Sequence, residues 1–225
     1  MFNRPDRLLI ILFNLIPIIG VAYYDWAPFQ MFWLFWMETL IISVFNTVRV
    51  LYSQGLETGE RAEQHRTDLN VGSAFKFLLI RIFVFLFYSL FIIVFIGVMS
   101  SNSKKGVEAL SVIFFGNSLF NLALAITVAS QSFYLIKYFF LNGAYLFSKP
   151  NQYPAIFDAR QIVIHVAVVL GGVGTAFLFK DGAAKWGEIW IIAIFCVIKC
   201  IFELFFATHP ADANINGALK EGSAI

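Results

Sequence analysis

The chain has 225 residues, 60% of them hydrophobic and 13% charged, with a mean hydropathy of +0.78 and a formal charge of +2. A soluble domain is roughly 45–50% apolar and covers its core with far more charge, so a water-soluble globular domain is excluded, whereas lipid needs no polar covering. The small charge, without a polybasic run, also excludes a nucleic-acid partner.

A helix needs about 20 apolar residues to cross the hydrocarbon core. Six runs are read as spans: 8–24, 30–51, 74–99, 110–141, 160–179 and 186–208. None alternates as a barrel strand does. The expected fold is therefore an all-α, polytopic membrane helix bundle. Residues 1–209 form a single transmembrane domain, and 210–225 form a polar cytoplasmic tail.

Taken in order, Arg4 and Arg7 precede an apolar run that ends near Gly20-Val21-Ala22, a signal-peptide-like pattern. We read it as the first membrane helix, kinked or tilted at Pro17. Trp26, Trp33 and Trp36 cluster near the outer end of the second span, where tryptophan anchors a helix at the interface.

Glu38 stands about eight residues into that span, about 12 Å along the axis. A carboxylate cannot snorkel that far, so Glu38 has to be protonated, paired, or facing water or a cation. Asn46 and Arg49 follow on broadly the same face, too distant for Arg49 to pair with Glu38 directly.

Residues 52–73 form a polar connection. Arg81 on the third span and Lys137 on the fourth each read as snorkelling when taken alone. The fourth span exceeds what a bilayer requires and carries Asn117, Asn121, Ala125 and Ala129 at every fourth position, with Gln131 nearby. This stripe reads as close helix packing through amide bonds, or else as a hydrated path. Asn142-Gly143, Lys149-Pro150-Asn151 and Tyr153-Pro154 are turn signals in the next connection.

On the fifth span, Gln161 and His165 share a face, and Ala167, Gly171 and Thr175 permit close helix approach. The sixth begins with Trp186 and Trp190 and carries Cys196 and Cys200, expected as reduced thiols. Lys199 and Glu203, one turn apart, read as an ion pair within one helix.

Orientation follows from lysine and arginine at the span ends. With an inside N-terminus, nine basic residues (Arg4, Arg7, Arg49, Arg61, Arg66, Lys76, Lys149, Arg160 and Lys220) lie inside, against four outside (Lys104, Lys105, Lys180 and Lys185). Both termini are thus expected in the cytoplasm. Arg49, Arg81, Arg160, Lys137, His165, Lys199 and His209 then form a cationic inner layer, with Glu38 isolated above it. Such a layer holds anionic lipid of the cytoplasmic leaflet or converges on an anion-binding vestibule.

No Walker loop, dinucleotide fingerprint or haem motif is present, and H-E-x-x-H zinc spacing is missing. No catalytic residue, metal ligand or cofactor is named by the sequence, and enzyme activity is the less favoured reading.

Trp36-Met37-Glu38-Thr39 through Asn46-Thr47-Val48-Arg49 resembles a segment of an uncharacterised family of multi-pass prokaryotic membrane proteins, a domain of unknown function. Ile198-Lys199-Cys200 through Glu203 and His209 resembles its last span. The resemblance implies six spans and marks Glu38, Arg49, Lys199 and Glu203 as a set. Thr39 stands where that family carries an amide. No activity comes with it.

The leading expectation is a small ion- or anion-handling protein, channel- or transporter-like. The path or buried polar set is Glu38, Asn46, Arg49, Arg81, Asn117, Asn121, Lys137, His165, Lys199 and Glu203. The alternatives are a non-catalytic subunit or scaffold, as homo-oligomer or within a heteromeric membrane complex, and an intramembrane lipid-modifying enzyme. The last requires His165 beside Glu38 or Glu203.

Overall fold

The computed structural model describes residues 4–24, 26, 28–55, 69–93, 111–154, 193 and 195–201. These residues are helical with short connections and contain no strand. Four long helices appear: α1 (Arg4–Tyr23), α2 (Pro28–Tyr52), α3 (Val71–Ile92) and α4 (Ser118–Tyr134), the last continued by a π-helical segment, Leu135–Leu141. A further helical stretch covers 195–201. Among the described residues, three helices are long and apolar enough to cross a membrane: Phe29–Tyr52, Val71–Leu90 and Ser118–Leu141. The fifth span, most of the sixth, residues 56–68 and the tail lie outside the described residues.

The predicted fourth span starts later than its hydropathy suggests. Ser111–Phe114 is a separate 3-10 turn, after which Phe115 takes a left-handed φ of 58°. That conformation is unfavourable for a side chain with a Cβ. It is held by Gly116 N–H donating to Ser111 O (3.0 Å) and the Asn121 side chain donating to Phe115 O (2.8 Å). Apolar composition says nothing about a backbone reversal inside an apolar run.

The chain divides into two compact units. The first comprises 1–39, 85–127 and 159–207. Its core is the opening of α2, where every residue from Phe29 to Trp36 is buried. Trp36 stacks on Phe85 with ring centroids 5.5 Å apart, and its indole N–H donates to Ser89 Oγ at 2.9 Å. Trp26 packs against Phe120 and over Gly20, where an added Cβ would lie 2.4 Å from the indole Cδ2. The three tryptophans expected as interfacial anchors are therefore interior packing residues, at 3%, 6% and 1% exposure. Large rings fill a helix-packed core as readily as they sit among headgroups, and sequence position alone does not separate the two.

The second unit comprises 40–84, 128–158 and 208–225. Val50, Ala74, Phe77 and Tyr153 form its apolar cluster. The turn signals after Leu141 are realised as turns, with Gly143 at φ 70°, a short helix Ala144–Phe147 and a 3-10 turn Pro150–Gln152. This segment is tied to the chain leaving α2: Gln54 N–H donates to Tyr145 O and Gly55 N–H to Ser148 O, both at 2.9 Å. Backbone groups without helical partners thus satisfy one another.

The helices differ in how much they are covered. Of the most apolar window of each, 56% is buried in α2 and 33% in α4, but 17% in α3. On α3, Phe75, Leu79, Phe83, Leu86 and Leu90 are exposed at three- and four-residue steps, so they line one face.

Candidate functional site

The first unit places two opposite charges in contact. Lys199 Nζ lies 2.9 Å from Glu38 Oε2, with side chains only 5% and 9% exposed. Glu38 projects from α2 ten residues after its start at Pro28, and Lys199 from the helical stretch 195–201. Lys199 also donates to Asn14 Oδ1 of α1 at 3.3 Å. Its ammonium sits 4.8 Å from the Phe35 ring centroid and 5.1 Å from that of Phe13. Phe35 precedes Glu38 by three residues and Phe13 adjoins Asn14, so each helix offers one ring and one oxygen to the same cation.

This arrangement corrects one expectation. Glu38 is not isolated: it holds a lysine 161 positions away in the chain. Lys199 falls in the first unit, and Arg49, Arg81 and Lys137 fall in the second. Glu203, the partner expected for Lys199, lies outside the described residues, as do His165, Arg160 and His209.

Removing two ions from water costs several kcal/mol each, and their attraction only repays this with good geometry and added hydrogen bonds. Here the aromatic faces and the Asn14 amide supply that additional stabilisation. Thr39, by contrast, hydrogen-bonds back to its own helix at Trp36 O (2.7 Å).

The second unit holds its cations differently. Arg49 is 4% exposed and donates to Asn46 Oδ1 at 2.6 Å and to Gln131 Oε1 at 3.4 Å. Arg81, also buried, donates to the Pro154 carbonyl and sits 5.3 Å over the Phe77 ring. The snorkelling expected of Arg81 is therefore replaced by internal anchoring. Lys137, half-buried within the π-helical segment, lies over Phe133 at 4.9 Å and Tyr138 at 5.1 Å.

The asparagine stripe has local explanations. Asn117 caps α4, its Oδ1 accepting the Phe120 N–H at 3.0 Å, three residues on. Asn121 holds the turn at Phe115. Both of these bonds stay within the turn and helix that the asparagines begin.

Asn14, Phe13 and Phe35 are members of the site that sequence reasoning passes over. Asn14 left one signal, as the sole amide in the run 8–24. The phenylalanines left none, being two among 27. Cys196 and Cys200 are both free thiols. Among the described residues, no three His, Cys, Asp or Glu side chains gather as a metal site requires.

No curated protein and no solved structure matches the chain. A family model does match, over residues 1–219, and the chain belongs to that family of unknown function, DUF6498. Membership agrees with the resemblance seen around Glu38 and Lys199, and it assigns no activity.

Proposed function

We propose that this member of a family of unknown function is a multi-pass integral membrane protein that handles ions, with the Glu38–Lys199 pair lying in their path. One observation carries the reading: a desolvated ion pair on apolar helices, at a position where hydrophobic packing is usually as stable or more so. Ionisable groups retained within membrane helices mark ion and proton pathways. Six spans, cytoplasmic termini, a prokaryotic inner membrane and contact with anionic lipid at the basic inner ends complete the proposal.

Purified protein in liposomes should dissipate an imposed proton, potassium or chloride gradient faster than empty vesicles. Glu38→Gln and Lys199→Met should each slow that flux by about tenfold or more while the protein remains folded. Wild-type vesicles indistinguishable from empty ones, across all three gradients, would sink the reading.

A second reading, a subunit or scaffold of a larger membrane assembly, is favoured by the exposed apolar face of α3. A defined heteromeric mass on gentle detergent extraction, lost when Phe83 and Leu86 are replaced by smaller residues, would support it. A monomeric mass would return that face to lipid.

A further inference from the structure

Lys199 is held as a free ammonium ion would be. Around Nζ stand the Glu38 carboxylate at 2.9 Å, the Asn14 amide oxygen at 3.3 Å and two aromatic faces, Phe35 at 4.8 Å and Phe13 at 5.1 Å. All five residues are buried. One negative charge, one directed acceptor and two electron-rich rings form the set that recognises an alkylammonium cation. Nothing in this set requires the ammonium to be covalently attached.

We propose that Glu38, Asn14, Phe13 and Phe35 form a binding site for a primary alkylammonium cation, filled in this chain by the tethered ammonium of Lys199. The proposal rests on the ion-handling reading of the same pair and adds an organic cation that the same residues accept once Lys199 leaves them. A ligand of this class binds by displacing Lys199 from the cage, so the lysine is a built-in competitor.

Lys199→Ala removes Cγ to Nζ, the dimensions of n-propylammonium. Thermal unfolding of the full chain in detergent micelles is followed while n-propylammonium, 1-propanol, sodium or potassium is added, at constant ionic strength for the salts. In Lys199→Ala, propylammonium should raise the midpoint saturably, by about 5 °C or more. The three other solutes should not, and adding Glu38→Gln should abolish the response. Wild type should stay unmoved at the same concentrations, its site being full.

Equal stabilisation by propanol would show mere cavity filling and overturn the proposal; so would a folded variant that responds to nothing. Lys199→Met guards against an alanine variant that does not fold. It should unfold at a lower temperature than wild type, and the Glu38→Gln/Lys199→Met pair should recover much of that loss. An undiminished Lys199→Met, or no recovery in the pair, overturns the proposal as well. These readouts measure binding and not flux, so the site can be established where transport fails, and the reverse.

Discussion

The two compact units stabilise buried cations by different means. In the first, Lys199 meets a carboxylate, an amide and two rings contributed by distant stretches of chain. In the second, the described partners of Arg49 include the Asn46 and Gln131 amides, and those of Arg81 the Pro154 carbonyl and the Phe77 ring. Guanidinium spreads its charge over several donors and is weakly hydrated, so neutral oxygens and aromatic faces suit it. Ammonium is a compact, strongly hydrated charge, and its burial calls for an anion.

The largest expected effect tests the charged side of that contrast. Glu38→Gln should destabilise the protein by about 3–5 kcal/mol, because it leaves a buried ammonium without its anion. Thermal unfolding in detergent checks this, and a loss under about 1 kcal/mol would break the contrast at its stronger end. In the second unit, Gln131→Leu should cost less, about 1–2 kcal/mol, the range for a hydrogen bond to a charged group weakened by its 3.4 Å length. Were the two losses equal, the carboxylate contact of Lys199 and the amide contact of Arg49 would carry the same energetic weight.

Two smaller effects sharpen the comparison by probing how the first unit is built without touching charge. Gly20→Ala should cost about 2 kcal/mol, because the new methyl group meets the Trp26 ring at 2.4 Å. Intrinsic tryptophan fluorescence should shift with it. Asn117→Ala should cost about 1 kcal/mol through loss of the α4 cap, and Asn117→Ser should recover most of it. A functional role for Asn117 in a hydrated path predicts the opposite, with flux lost in both variants and stability unchanged.

Much of the site was legible one residue at a time. Glu38 stands out in the sequence because a carboxylate deep in an apolar run has few physical options, and pairing is among them. Lys199 is visible for the same reason, but its partner is not. Helical periodicity reports neighbours three and four residues away, so it points to Glu203, which lies outside the described residues. The contact with Glu38 joins positions that no local rule relates. Arg49 shows the intermediate case: Asn46 lies three residues before it, within reach of periodicity, whereas Gln131 arrives from another helix. The asparagines at 117 and 121 show another case: a regular spacing left close packing and a hydrated path both open, and the described bonds of the two side chains lie at the turn and first turn of α4.

Composition and hydropathy by themselves determined that this chain is helical and built of segments able to cross a membrane. Both follow from sums over many residues, and such sums survive errors at any one of them. They also exposed Glu38 and Lys199 as charges in need of an answer. Only the tertiary structure decided that they answer each other, that Asn14 and two phenylalanines complete the cage, and that the tryptophans of α2 pack inward. Those outcomes depend on helix rotation and on which helices touch, and a one-dimensional pattern of apolar residues constrains neither.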